Sequence, residues 1–314
     1  MSWGRIALLL AALAAWIAGA TLGTPAVSTA GAQPLFQLTK VRASFTPILD
    51  GDQPIFILFL GSDARPGEPV DGERSDSIHL MGINPAKHRV SILGFPRDSW
   101  VEIPGHGMDK INSAMVYGGP ELTVKTVESI TGIKIDYYAL TSFQGFHDMV
   151  NGVGGIVVDV PFPMYDPGGS GTKFSKAGPQ RVNGQEALAF SRDRHSITSG
   201  DFGRSENQGR VFEGALRQFR KEFMKNPSRL LTWVGAGLRN IFTTNVPLDD
   251  VMTLAFTATS IKPERVQNMV VPATTGSQGG QSVVYIADAA KTIYADMKDD
   301  GIVSPGHVPP SYLT

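Results

Sequence analysis

From about Val41 onward the chain alternates between short apolar runs and longer stretches with helical spacing. Ile55-Phe56-Ile57-Leu58-Phe59-Leu60 is continuously apolar and stops at Gly61, the pattern of a strand buried on both faces. Ser77 to Ile83 and Arg89 to Phe95 read as two more strands, joined at Asn84-Pro85 into a hairpin. Helical spacing covers Ile111 to Tyr117 and Glu121 to Thr131, the second closed by Gly132 in the usual C-terminal position. Phe143 to Val150 reads as a short helix, and Gly155 to Val160 as a strand stopped by Pro161. A Gly/Pro/Ser-rich loop from Asp166 to Gly178 precedes a helix from Gly184 to Phe190. Asp201 to Lys225 is a long amphipathic helix, and Pro227 to Ile241 and Leu248 to Ser260 give two more. Val266 to Val271 is a last strand, and Ile286 to Met297 a closing helix. Strands alternating with helices predict an α/β fold, a single layered domain with a central sheet flanked by helices. The early hairpin makes that sheet mixed rather than parallel.

The amino-terminal pattern is different. No charge appears from Ile6 to Thr39, and Ile6 to Leu22 is an apolar run of 17 residues behind Arg5. That is the short end of the roughly 17–25 residues that span a bilayer and longer than the roughly 7–15 of a signal core. Either reading sends the remainder out of the cytoplasm, because Arg5 stays inside. Ala30-Gly31-Ala32 is a possible cleavage site, so anchor and cleaved signal both stay open. The expected organisation is an anchor or signal over 1–22, and a stalk leading into the domain over 23–53. A catalytic domain follows over 54–300, with a tail over 301–314.

Composition narrows the function. The formal net charge of -1 over 314 residues argues against a nucleic-acid binder, which carries a basic face or arm. With no cysteine there is no disulfide, thiolate metal site or Cys nucleophile. Charged residues make up 18%, below the roughly 25% of a typical domain, so arginines and aspartates recurring in short motifs stand out.

Three such clusters occur. Gly61-Ser62-Asp63-Ala64-Arg65 follows the apolar strand, and Arg74-Ser75-Asp76-Ser77 precedes the next. Asp63 and Asp76 would emerge from neighbouring strand ends, where α/β sheets bind ligands, and hard carboxylate oxygens there suit Mg²⁺ with substrate phosphates. Loop aspartates making turn hydrogen bonds are the plainer explanation of either one alone. Pro96-Arg97-Asp98 ends the third strand, and Lys110-Ile111-Asn112 opens the next helix; Arg97 offers a planar fork to phosphate and Lys110 a point charge. The densest cluster is Phe190-Ser191-Arg192-Asp193-Arg194 followed by Asp201-Phe202-Gly203-Arg204-Ser205-Glu206-Asn207-Gln208. Arg192 and Arg194 alternate and, if extended, point the same way. Arg204 and Gln208 lie four apart on one helix face. Like charges gathered in this way are unfavourable unless an anion sits between them; the plainer alternative is a solvated basic loop leading to a polar helix face.

In their order, these motifs resemble the LytR-CpsA-Psr (LCP) family. Gly-Ser-Asp-Ala-Arg, Arg-Ser-Asp-Ser, Pro-Arg-Asp, Lys-Ile-Asn, Phe-Ser-Arg-Asp-Arg and Asp-Phe-Gly-Arg…Gln carry the likeness. Val153-Gly154-Gly155-Ile156, Leu188-Ala189-Phe190 and Leu248-Asp249-Asp250 extend it, so that it spans about Ile55 to Met297. The resemblance implies an anchored protein facing the exterior, an α/β sandwich with a tunnel for a polyprenyl tail. It also implies an activity, transfer of a glycopolymer from a polyprenyl-pyrophosphate carrier onto peptidoglycan or protein. By motif, Asp63 and Asp76 would hold Mg²⁺, and Arg97, Lys110, Arg192, Arg194, Arg204 and Gln208 would surround the pyrophosphate. Arg65 and Asp201 match further motif positions. Asn207 stands where the family often has an arginine, which removes one expected contact.

The implied chemistry is phosphoryl transfer, in which positioning and charge neutralisation dominate. Asp63, Asp76 and Arg97 are the candidate catalytic residues, with Asp98 or Asp76 to take the proton from the attacking hydroxyl. Phe143, Phe146 and Phe190 are candidates for a lipid tunnel, or ordinary core. Two other functions fit the same residues: a hydrolase using water as acceptor, and a non-catalytic glycopolymer-binding or regulatory module.

Overall fold

The structure is a computed structural model describing residues 36–47, 51–65, 68–230, 232–233, 241–243 and 245–313. The apolar run Ile6 to Leu22 and the possible cleavage site Ala30-Gly31-Ala32 lie outside the described residues. Among the described residues, no helix is long and apolar enough to cross a membrane.

The IFILFL run forms β2 (Ile55–Ser62), and its side chains alternate between two cores as a strand requires. Leu58 and Leu60 enter one apolar cluster, Ile55 and Ile57 another on the opposite face. Around it lie β1 (Phe36–Lys40), β3 (Ser75–Asn84), β4 (Arg89–Gly94), β7 (Tyr137–Ser142), β12 (Ile241–Thr243) and β13 (Val266–Val270), in the sheet order β12-β1-β7-β2-β3-β4-β13. β2 is antiparallel to β3 and parallel to β7, while β4 is antiparallel to β3 and parallel to β13. The sheet is therefore mixed, as the hairpin foretold.

Helices cover both faces. On one, α1 (Ser113–Thr131) and α6 (Ala290–Asp300) contribute Val124, Val127, Ile293 and Met297 to the first core. α1 is two helices meeting at Gly118 and Gly119, where Gly119 has φ +65°, and it closes at Gly132 with φ +68°. On the other face, α4 (Asp201–Lys225) and α5 (Leu248–Ser260) supply Phe212, Leu216 and Leu254. Beside α4 a satellite core gathers α2 (Phe143–Gly152), α3 (Gly184–Arg192) and the paired strands β8 (Ile156–Val160) and β11 (Gly178–Val182).

Several segments depart from expectation. β1 falls inside the stretch read as stalk, because Phe-Gln-Leu-Thr-Lys pairs with β7 on one edge and β12 on the other. The Asp166–Gly178 loop holds a small hairpin of β9 (Met164–Asp166) and β10 (Thr172–Phe174). Ile241 belongs to β12 and not to a helix; of the helix expected over 227–241, residues 231 and 234–240 lie outside the described residues. Lys110 ends a strand instead of opening a helix, in the hairpin of β5 (Trp100–Ile103) and β6 (Gly107–Lys110). Ile286 closes the hairpin of β14 (Ala273–Gln278) and β15 (Gln281–Ile286), and the last helix starts four residues later. The segment 301–313, expected as a tail, is packed: Ile302, Val303 and Leu313 are buried, and Tyr312 stacks on Phe202 at 4.8 Å.

Candidate functional site

The carboxyl ends of β2, β4 and β7 and the amino end of β3 meet at one edge of the sheet, the place where α/β sheets bind ligands. Asp63 follows β2, and its N–H is held by the Arg74 carbonyl at 2.9 Å. Asp76 owes its aim to a bulge. Ser77 pairs with Gly61 and Ser75 with Ser62, so Asp76 is the extra residue of β3, and bulges re-aim side chains in this way. The carbonyl of Asp76 accepts from Gln208 Nε2 of α4 at 3.2 Å, and the same nitrogen donates to the Ser191 carbonyl of α3 at 3.1 Å. One glutamine thus ties sheet, α3 and α4 together.

Arg97, just past β4, donates to the Asp76 carboxylate. Burial disfavours its charge, but the carboxylates of Asp76, then Asp201 and Asp98, outweigh that, and its pKa is raised. Arg204 and Asp201 form a mostly buried pair on the first turn of α4, with Nη2 and Oδ1 2.6 Å apart. Burial lowers the Arg204 pKa and raises that of Asp201, each partly offset by the other's charge. Arg97 Nε, Arg204 Nε and Asp201 Oδ2 are buried without a hydrogen-bond partner among the described residues. Buried donors left open in this way are costly unless a ligand completes them, and two guanidinium donors suit a phosphate oxygen.

Arg192, in the last turn of α3, lies over the Phe143 ring at 4.7 Å. The segment is not extended at Arg192, because the helix runs through it and ends at buried Asp193, so the condition for Arg192 and Arg194 to point the same way is not met. Arg194, exposed like Arg192, acts on Arg204 through its charge. Arg65 is likewise exposed and acts on Asp63 by charge. Lys110 sits at 3.4 Å from Asp98, one residue beyond Arg97.

Burial and the charge of Asp76 raise the Asp63 pKa, against the pull of Arg192, Arg97 and Arg65. A hard dication shared by the two carboxylates would relieve that repulsion. Among the described residues no group of three or more His, Cys, Asp or Glu could hold a metal. Two carboxylates completed by water and phosphate oxygens is the donor set Mg²⁺ accepts, so the residues fit it.

Below the charged cluster lies a cavity of about 290 Å³. Phe59, Phe143, Phe146, Met149, Phe212 and Trp233 are among its apolar walls, and Asp76, Ser77, Arg192, Arg204 and Gln208 belong to its polar part. Phe190 is not in the wall; it is fully buried against Phe174 in the satellite core. Two residues of this wall and its backing were missed from sequence. Ser77 bonds His79 Nδ1 at 3.0 Å, and fully buried His79 holds the Ser205 carbonyl of α4 through Nε2 at 3.0 Å. The carbonyl can only accept, so Nε2 carries the proton and Nδ1 accepts from Ser77. Their two-residue spacing on one strand face was the available signal.

The profile of the LytR_cpsA_psr family matches residues 27–299. The TagU polyisoprenyl-teichoic acid–peptidoglycan teichoic acid transferase of Bacillus licheniformis is 38% identical over 182 residues, covering 57% of this chain and 56% of that protein. The match thus spans about half the length of such curated relatives. The crystal structure of B. subtilis TagV superposes with TM-score 0.67 at 26% identity, over 81% of this chain and 99% of that one. The LytR-CPS2A-psr family protein YwtF (TagT) with bound octaprenyl pyrophosphate lipid superposes with TM-score 0.61 at 26% identity, over 83% and 95%. With motifs, sheet and site in agreement, the chain belongs to the LytR_cpsA_psr family.

Proposed function

We propose that this chain is a membrane-tethered, extracytoplasmic phosphotransferase that moves a glycopolymer from a polyprenyl-pyrophosphate carrier onto peptidoglycan. One observation carries the reading: a single cavity has aromatic and aliphatic walls and a polar part formed by Asp76, Arg192, Arg204 and Gln208. An apolar tail joined to a pyrophosphate needs both. The names of the relatives support it, since TagU is called a teichoic acid transferase and the TagT structure holds octaprenyl pyrophosphate.

The chemistry follows from the side chains. Arg192, Arg204 and Arg97 grip the pyrophosphate oxygens, and Gln208 fixes the bulge that presents Asp76. Asp63 and Asp76 would hold Mg²⁺, which when bound neutralises charge and polarises the phosphate oxygens. Arg65, Lys110, Arg194 and Asp201 tune the field around them. The acceptor hydroxyl attacks the phosphorus nearer the glycan, the P–O bond to the carrier phosphate breaks, and polyprenyl phosphate leaves. The proton passes to Asp98, which lies beside Lys110 and more open than Asp76, whose carboxylate is committed to Arg97. Pre-set donors at the developing charge lower the barrier without reorganisation. The test is to incubate the purified chain with polyprenyl-pyrophosphoryl glycan, Mg²⁺ and peptidoglycan. Glycan should become covalently attached, and chelation should stop it reversibly; no attachment and no carrier consumption would refute the proposal.

A further inference from the structure

Two hairpins flank the segment that follows Arg97. Val284 of β15 donates its N–H to the Asp98 carbonyl at 2.9 Å, and Ser99 bridges to the same residue. Lys110, the last residue of β6, pairs with the Asp98 carboxylate. Both hairpins are thus fastened to Asp98-Ser99.

Each presents a pinned aromatic ring to solvent. Beside β6, Tyr117 of α1 lies flat on His106 with centroids 4.7 Å apart and planes at 6°, and its hydroxyl donates to Asp109 at 2.6 Å. On β15, the Tyr285 ring covers Gly276, where an added Cβ would come within 2.4 Å of the ring, and its hydroxyl donates to the Ser277 carbonyl at 3.2 Å. Tyr117 is 46% exposed and Tyr285 37% exposed. A ring backed on one face, tied at its hydroxyl and open on the other is preorganised for stacking at low entropic cost. Between Arg265 and Asp288 the chain carries no charged residue, and Thr274, Thr275, Gln278 and Gln281 are exposed around Tyr285. Hydroxyls, amides and flat aromatic faces complement the hydroxyls, acetamides and ring faces of a sugar chain.

We propose that these two hairpins and Tyr117 form the docking surface for the acceptor glycan. This rests on the transfer reaction proposed above. In phosphoryl transfer the attacking and leaving oxygens are roughly in line. The lipid phosphate departs toward the apolar cavity, so the attacking hydroxyl comes in from elsewhere, past Asp98, the proposed base to which both hairpins are fastened. The donor's own glycan leaves the phosphorus sideways.

The test uses the full chain, polyprenyl-pyrophosphoryl glycan as donor and peptide-free peptidoglycan strands as acceptor, with Tyr117→Ala, Tyr285→Ala and Tyr117→Phe. Each alanine variant should raise the KM for strands roughly tenfold, the loss of one well-formed stack. Donor KM and melting temperature should hold, and the Phe variant should recover most of the loss. Strand binding to the wild-type chain without donor is measured in parallel. Tyrosine-dependent binding without transfer would support the rim while sinking the proposed activity. Unchanged strand KM in both alanine variants of an active enzyme, or equal rises in donor and strand KM, would overturn the rim as acceptor site.

Discussion

Arg192 shows how one side chain joins the two halves of the site, its guanidinium lying over Phe143 and its charge acting on Asp63. Arg192→Ala removes a charge-assisted contact worth roughly 1.5–3 kcal/mol, so donor kcat/KM should fall by about 10- to 100-fold. Lysine should rescue only part of it, because the planar fork is lost. Steady-state kinetics with varied donor reads this directly. Behind the site, burial holds the His79 pKa down to about 4, against 6.5 for a free histidine. The unfolded chain therefore takes up this proton first, and stability rises with pH. The His79 contribution is complete above pH 6.5 and drains away as pH falls toward 4, by up to about 3 kcal/mol. Denaturant midpoints across that window should show the slope, and His79→Gln, which has no proton to gain, should flatten it.

The helix α4 carries Arg204 and Gln208 to the sheet edge, and two glycines set how closely it lies. A Cβ on Gly209 would come within 1.8 Å of the Asn268 side chain, and one on Gly214 within 2.3 Å of the Val157 carbonyl. Gly214→Ala must therefore lift the helix from β8. Overpacking of this kind costs about 1–3 kcal/mol. Because Arg204 and Gln208 move with the helix, activity should fall more than stability alone explains, measured as donor kcat/KM at a temperature where the variant is fully folded. The helix itself was legible from its period, as was the IFILFL strand, since both patterns come from faces buried along their whole length. The hairpins β5–β6 and β14–β15 were not, because each pairs a short strand holding a few buried residues with a polar, mostly exposed partner. The aim of Asp76 was hidden too. Its motif named the residue, but only the register between Gly61-Ser62 and Ser75-Ser77 reveals the bulge. The different directions of Arg192 and Arg194 were hidden as well, because the helix runs on through Arg192 and ends at Asp193.

Across the whole molecule three parts serve the site: apolar cavity, charged cluster and aromatic rim. A carrier that never leaves the bilayer requires the first part to stay near the membrane, which an anchor over 1–22 would ensure. Because β1 begins at Phe36, any shortened form must keep that strand to retain the sheet. Asp63 and Asp76, proposed above to hold Mg²⁺, lie at the sheet edge outside the apolar core, so chelation should leave the fold intact. Asp76→Asn with Mg²⁺ present should lose transfer, as the wild-type chain does in chelator, and, because Arg97 also loses its ion-pair partner, melt somewhat lower while still folded. The central claim, transfer instead of hydrolysis or simple binding, is tested most directly by a single-turnover reaction with donor labelled in its glycan. Unlabelled peptidoglycan serves as acceptor, and polyprenyl phosphate is quantified alongside. One labelled glycan should become covalently fixed to peptidoglycan for each polyprenyl phosphate released. Release with all the label left in solution, or no release at all, would contradict it.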